Sequence, residues 1–467
     1  MNTEFYSSAN RVSTASQVTR VPFTATAGGI VAPEQTALMD AIKSDLVRFT
    51  FNRNEIFAGG SNAVDPASAA KLSRRAHPTI ARFPLLVMLV TLIQTVPAMA
   101  NGEGSLILNH EKNLQQVAGF LSFTGDGSVI PEYGSIFGRT VINTFPGLVG
   151  GTPVLSALAE GASGRTWLFG NAINQVPNNR LLIARLNADS GLLDASFGGG
   201  SGQISTVLPA GVTSFLVSSA VIQADGKPIV AGNWAQNGDR RGFVCRLNVA
   251  GNLDAGYASG GCRVLRSFLY INERCEVDNI AADPSDQSLI AAGNCTNIDQ
   301  ANQQRPFLTR LTSAGNFSVE FGAGAGLTTP ILNTGQLRSI SAVAIQPGGR
   351  FVGIGNNLRG VGDYDISALQ FGNDGTLDAS FGVGGVFTIA PDIAGNRDDF
   401  AGDIAVRPDG RILMLGLAEG VGQSGVILLH QLTAGGANDA GFGSNGRFLA
   451  TDTLSQTFAQ GGTSAWR

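Results

Sequence analysis

One phrase recurs along this chain and constrains everything else about it. It reads LNADSGLLDASFGGG at 186–200, LNVAGNLDAGYASGG at 247–261, LTSAGNFSVEFGAG at 311–324, FGNDGTLDASFGVGG at 371–385 and LTAGGANDAGFGSNG at 432–446. Its aromatic falls at Phe197, Tyr257, Phe321, Phe381 and Phe442, a step of about 60 residues, and a degenerate copy at 123–134 adds Tyr133 upstream. A fixed period of this length marks a chain built from stacked supersecondary units.

A second phrase lies between the copies of the first: VIQADGKPIVAGNW (221–234), AADPSDQSLIAAGNC (281–295), AIQPGGRFVGIGNN (344–357) and AVRPDGRILMLG (405–416), with GASGRTWLFGN (161–171) as a fifth version. Each is an apolar run, a Pro/Asp/Gly turn and a second apolar run, which is a hairpin signal. The run before the aromatic phrase (DISALQFG, 365–372) and the one after it (GVFTI, 385–389) bring the unit to four strands. The reading is an all-β protein, a β-propeller of four-stranded blades. The run after the aromatic is taken as a blade's first strand, so that Arg185, Arg246, Arg310, Gln370 and Gln431 fall on fourth strands. RFLAT (447–451) and TSAWR (463–467) then supply two strands, and GSLILN (104–109) and LQQVAGFLSFT (114–124) two more, of a composite closing blade. The count is six, with five and seven left open.

The hairpins also organise the cysteines. Cys245 and Cys262 are equidistant from the turn at 251–256, and Cys275 and Cys295 from Ser285. Opposed residues on antiparallel strands come close enough to bond, so Cys245–Cys262 and Cys275–Cys295 are expected, both in the third blade. None of the four has CxxC spacing.

With the phrases G-x-L-D-x-S-F-G and P-D-G-[KR]-[IF]-[LV] in hand, the chain resembles the bacterial delta-60 repeat proteins over roughly residues 115–450. Gly375, Leu377, Asp378, Ser380, Phe381 and Gly382 match one phrase, and Pro408, Asp409, Gly410 and Arg411 the other. Ser318 departs from the Asp position, Tyr257 from the Phe and Gly348 from the hairpin Asp. The resemblance implies an exported β-propeller and brings no catalytic residues with it.

Residues 72–100 carry a basic front (Arg74, Arg75, Arg82), an apolar stretch from Phe83 to Val96, and the small-residue signal Ala98-Met99-Ala100. This three-part pattern is that of a secretory signal peptide cleaved after Ala100; the apolar stretch is shorter than a membrane span. Residues 1–71, with a helical candidate at 36–48, read as a misassigned start, the alternative being a tail ahead of a signal anchor. The expected domains are thus 1–71, the signal at 72–100 and the propeller at 101–467, placed in the periplasm, cell envelope or medium with no stable membrane insertion of the mature form. A net charge of -4 and 14% charged residues argue against nucleic acid as partner.

Candidate chemistry is sparse. Asp194, Asp254, Asp378 and Asp439 recur, but one or two acids per turn fall short of a calcium shell, and Asx turns explain them. The repeated arginines read as pairs within a blade, FGGGSG (197–202) as a turn, His430 as packed, and Trp167 and Trp234 as core. No metal or cofactor is expected. The variable segments 173–179, 233–241, 294–305, 356–364 and 418–424 follow a blade's third strand and gather on one face. Loops on a rigid frame are where binding is placed, so the candidate binding residues are Asn294, Asp299, Gln300, Asn302, Arg305, Arg240, Arg241, Arg359 and Asp363. The expectation is a monomeric, non-catalytic scaffold for a protein or glycan ligand. The alternatives are a polysaccharide lyase or hydrolase using Asp363, Asp365, Asp398 or Asp399 in loop-like stretches, or a structural part of a surface assembly.

Overall fold

The computed structural model describes residues 48–49 and, within 104–450, all but 113–114, 124–138, 143, 149–150, 162, 174–178, 237–238, 266–272, 298–302, 325, 330–335, 361–362, 392–397 and 420–424. The expected signal segment with Ala98 and Ala100, the binding residues Asp299, Gln300 and Asn302, and the strand at 463–467 lie outside the described residues. Arg48, at the end of the expected helix, is instead paired as a two-residue strand with Phe49.

The described residues form antiparallel sheets in chain order. Sheet 1 joins Arg48–Phe49, Gly104–Lys112, Gln115–Phe123 and Arg139–Ile142; sheet 2 joins Thr152–Glu160, Thr166–Ile173, Arg180–Leu186 and Gln203–Val207. Sheet 3 runs Val212–Ile222, Pro228–Gln236, Asp239–Arg246, Cys262–Leu265, and sheet 4 runs Glu273–Ala282, Leu289–Asn297, Gln303–Leu311, Leu327–Thr328. In sheet 5 the first strand is split into Gln336–Leu337 and Ala342–Ile345, both on Phe351–Gly360, followed by Asp363–Phe371 and Val386–Ile389. Sheet 6 comprises Asp399–Val406, Ile412–Glu419, Gly425–Leu432 and Arg447–Ala450. The first strands of sheets 2 to 6 pack on one another in succession.

The sheet boundary falls one strand away from where the repeat phrases were divided. The run after each aromatic folds back onto the strand before it, so it is the fourth strand of its own sheet: Val386–Ile389 pairs with Asp363–Phe371. The cause is the aromatic phrase itself, a closed turn in which Asp194 N–H donates to Arg185 O, Asp254 N–H to Arg246 O and Asp378 N–H to Gln370 O. Four expectations are corrected by this. The repeated Arg/Gln positions lie on third strands, and the variable segments follow second strands. Residues 447–450 complete sheet 6 by pairing with Gly425–Leu432 and take no part in a composite sheet. The disulfides have the expected partners, but Cys245–Cys262 lies in sheet 3 and Cys275–Cys295 in sheet 4.

What joins one sheet to the next explains the repeat phrase. Phe197, Tyr257, Phe321 and Phe381 are all buried. Each ring lies against the turn glycine of the following sheet: a Cβ on Gly251 would stand 3.0 Å from Phe197, on Gly315 2.6 Å from Tyr257, on Gly375 2.7 Å from Phe321, and on Gly436 2.7 Å from Phe381. These glycines also hold φ between 79 and 85°, a region costly to side chains. Backbone bonds run beside the rings, from Ala258 N–H to Ala314 O (2.8 Å), Gly322 N–H to Asp374 O (2.8 Å) and Gly382 N–H to Gly435 O (3.0 Å). The glycine of G-x-L-D is therefore the socket and the aromatic of S-F-G the plug.

A second seam lies toward the other end of the strands. The first strands of sheets 2, 3, 4 and 6 shift register, between Leu155 and Ala157, beside Gly232, between Val277 and Asn279, and between Ala401 and Asp403. In sheets 2, 3 and 4 a second-strand glycine (Gly170, Gly232, Gly293) sits under the bulged carbonyl, where a Cβ would collide with backbone. The Asn that follows can reach across to the next sheet: Asn233 Oδ1 accepts from Val277 N–H at 2.8 Å, and Asn356 Oδ1 from Ala401 N–H at 2.8 Å.

Gly375→Ala adds a methyl against the Phe321 ring and strains the backbone, and is expected to lose about 2–4 kcal/mol in urea unfolding. Gly348→Ala, with φ +89 but nothing within 4 Å of its Cβ, carries the backbone cost alone, about 1–2 kcal/mol. Equal losses at the two positions would rule out the socket.

Candidate functional site

The strands give the molecule two unlike ends. Hairpin turns and aromatic phrases occupy one, the turn end; the connections between second and third strands occupy the other, the loop end.

At the turn end every repeated charge is taken up internally. The repeat acids form Asx turns: Ser196, Gly256, Ser380 and Gly441 N–H donate to Oδ1 of Asp194, Asp254, Asp378 and Asp439 at 2.9–3.0 Å. Arg185 Nε donates to Asp194 Oδ2 at 2.8 Å and lies over the Trp167 and Phe197 rings; Arg246 Nε donates to Asp254 Oδ2 at 2.9 Å and lies over Tyr257. Where Ser318 replaces the Asp, Arg310 turns to the hairpin of its sheet and donates to Asp283 (3.0 Å) and Asp286 (3.1 Å). Where Gln370 replaces the Arg, it donates to Gln346 Oε1 and Ala434 O, and Asp378 takes Arg350 at 3.0 Å. Asp439 takes Gln431 and Arg411. Each departure from the repeat thus keeps its charge paired.

Burial pushes the Asp194 carboxyl up, but the hydrogen bonds from Ser196 and the charge of Arg185 outweigh it and hold the group down at about 2. The Ser380 hydroxyl and amide hold Asp378 below the usual carboxylate range, and the Gln431 amide does the same for Asp439. Residues 198–200 form a single turn of 3-10 helix with positive φ at each glycine, so FGGGSG is a turn. His430 is buried against Phe387, its imidazole pushed down by burial, with Nε2 2.9 Å from Asn438 Oδ1. Trp167 and Trp234 are core residues, the latter stacked on Phe243 with centroids 4.7 Å apart.

The loop end gathers the charges that do not repeat. Asn294, Arg305, Arg240, Arg241, Arg359 and Asp363, expected on loops, all lie within strands, in the halves nearer the loop end, because pairing continues up to the connection. Sheets 3 and 4 share one network. Arg305 Nη2 donates to Glu273 Oε1, and Arg241 Nη1 donates to the Glu273 carbonyl at 2.5 Å while pairing with Asp239 at 2.7 Å. Arg240 pairs with Glu276 across the sheets at 2.7 Å. Glu273 is 1% exposed. It was not singled out in the sequence; its signal is an acid two residues before Cys275 at the head of an alternating strand.

Sheets 5 and 6 share a second group. Arg359 Nη1 pairs with Asp365 Oδ2 at 3.0 Å, and Asp398 Oδ1 accepts from Tyr364 N–H at 3.2 Å. Tyr364 and Phe400 stack across the same seam with centroids 6.1 Å apart. Asp365 and Asp399, expected on loops, lie within strands and are each 1% exposed.

A family described as a domain of unknown function (DUF5122) beta-propeller matches residues 223–257, from the hairpin turn of sheet 3 to Tyr257. That match supports a β-propeller repeat. No curated protein sequence matches the chain. Among solved structures, a protein of unknown function from Dyadobacter fermentans is similar at 12% identity and a TM-score of 0.37, covering 63% of this chain and 82% of its own. The polysaccharide lyase Uly1 is similar at 12% and 0.43, covering 77% and 81%. The Hadza microbial sialidase Hz136 is similar at 13% and 0.39, covering 67% and 60%. At this similarity none of them carries a functional argument.

Two predictions follow from the turn end. Asp194 has a lower pKa folded than unfolded, so its stabilisation is complete above about pH 4 and is lost as pH falls toward 2. The stability gap between the native chain and Asp194→Asn should reach about 2 kcal/mol at neutral pH and close toward pH 2 in denaturant titrations. The buried Tyr257 hydroxyl has no hydrogen-bond partner among the described residues, and burial pushes its pKa far up. Tyr257→Phe should therefore be neutral or stabilising by up to about 1 kcal/mol in the same titration.

Proposed function

We propose that this chain is an exported delta-60-type repeat protein, a closed six-sheet propeller that acts as a non-catalytic binding scaffold for a protein or glycan ligand through its loop end. The observation that carries this is the asymmetry of the two ends. The recurring charges of the turn end are consumed in holding repeats together. The loop end presents non-repeating groups on a rigid frame: Arg240 and Glu276 between sheets 3 and 4, and Arg359 with Tyr364 and Phe400 between sheets 5 and 6. Irregular polar residues on a regular scaffold are what recognition uses. Two disulfides support an oxidising compartment. In this reading sheet 1 closes the ring against sheet 6.

A second reading is favoured by Asp365 and Asp399, two buried carboxylates on adjoining sheets at the loop end. Buried acids in such a setting serve general acid–base chemistry in enzymes, here lyase or hydrolase action on a polysaccharide.

The test is to probe glycan and envelope-protein arrays with the chain, and to incubate it with acidic and neutral polysaccharides. Binding without turnover, weakened at least about tenfold by Arg240→Ala or Arg359→Ala, supports the scaffold; loss of about 2 kcal/mol is common at a binding hot spot. Turnover abolished by Asp399→Asn supports the enzyme. Neither binding nor turnover removes both readings.

A further inference from the structure

The loop end of sheet 4 holds a buried carboxylate that its neighbours satisfy only in part. Glu273 is 1% exposed, and its Oε1 accepts from Arg305, but its Oε2 has no hydrogen-bond partner among the described residues. An uncompensated buried carboxylate oxygen is costly. Next to it on the same face of the strand is Cys275, bonded to Cys295 on the neighbouring strand. One oxygen of Glu273 and the two sulfurs all lie within 4.8 Å of one another, the one such cluster of acid, thiol or imidazole groups among the described residues. All three residues are buried.

While the disulfide is closed, neither sulfur is a ligand. Reduction changes that. A dithiol or phosphine supplies two electrons and is itself oxidised; the S–S bond breaks and, with two protons, gives the Cys275 and Cys295 thiols. A thiophilic divalent cation then displaces those protons and forms two metal–sulfur bonds, with Glu273 supplying an oxygen. Two thiolates and a carboxylate are a donor set suited to zinc or cadmium.

The surrounding charge fits both forms. With the disulfide closed, Glu273 is neutralised by Arg305. With the cation bound, the three negative ligands are balanced by its two charges and the Arg305 guanidinium, so the buried site is neutral again. Arg305 on Oε1 leaves Oε2 for the metal, the usual arrangement of a ligating carboxylate held by an outer hydrogen bond. Arg241 donates to the Glu273 backbone carbonyl and is itself paired with Asp239, so it fixes the strand without competing for the carboxylate. We propose that Glu273, Cys275 and Cys295 form a binding site for a thiophilic divalent cation in the reduced chain, and that disulfide formation and metal binding exclude one another there. The inference is independent of what the loop end recognises.

The experiment uses the full chain purified under a phosphine reductant throughout, with four free thiols verified by alkylation and mass spectrometry. It is titrated with cadmium ion and followed by thiolate-to-cadmium charge-transfer absorption. The expected result is one equivalent bound, no binding to the oxidised chain, and slower air oxidation of the loaded chain. Cys275→Ser with Cys295→Ser should abolish the band, and Glu273→Gln should weaken binding at least about tenfold; Arg305→Met should do so by about 10–100-fold. Cys245→Ser with Cys262→Ser should leave the signal in place. A folded four-thiol chain that binds no cadmium overturns the proposal, as does binding that survives loss of Cys275 and Cys295. A four-thiol chain that neither folds nor regains structure when cadmium is added overturns it equally.

Discussion

The contact on which this architecture rests is an aromatic ring pressed into a glycine turn one repeat further along the chain. Sheets 2 to 6 each have a small area of their own to bury, and a lone four-stranded sheet of this kind would be marginal. The seam from Phe197 to Gly251, Tyr257 to Gly315, Phe321 to Gly375 and Phe381 to Gly436 gives each sheet a defined neighbour and a defined angle to it. Burying one such ring contributes about 1.5–3 kcal/mol, and it places the backbone bonds that accompany it. A side chain at any of these glycines would push the ring out, which is why glycine and aromatic recur together in the phrase.

Charge is handled at the same seam by local exchange of partners. The third-strand Arg meets the repeat Asp wherever both are present. Where one is missing the hairpin turn compensates, as Asp283 and Asp286 do for Ser318 and as Arg350 does for Gln370. An unpaired guanidinium over a packed ring would be expensive. Paired, it covers the ring and seals the turn end.

With cohesion located at one end, the other is released from repetition. The bulge glycines and the Asn clasps at Val277 and Ala401 keep the first strands in register, and beyond them the strand ends carry residues with no counterpart in other sheets. Glu273, Asp365 and Asp399 stand there buried, with Arg305 half-buried over Glu273, in a part of the fold where stability does not ask for ionisable groups. The disulfides add cross-strand ties in sheets 3 and 4, the second directly beneath Glu273.

Period, strand content, hairpin turns and the partners within each disulfide were legible in the chain, because all are local. They depend on turn residues, alternation and symmetric spacing about a turn. The repeated Asp and Arg could be read as structural for the same reason: Asx turns and same-sheet pairs form within a few tens of residues. Which strand begins a sheet was not legible, since the aromatic phrase closes onto the preceding strand through backbone bonds that leave no residue signature. Residues 447–450 were therefore placed in the wrong sheet. The candidate residues Arg240, Arg241, Arg305, Arg359 and Asp363 could be placed at one end from the sequence. The contacts of Arg240 with Glu276, and of Arg241 and Arg305 with Glu273, could not, because they form only across strands or across a sheet boundary. Sequence determined the repeat and what each unit would become. Tertiary structure decided where one unit stops and which non-repeating charges meet, since both depend on contacts between residues with no shared local pattern.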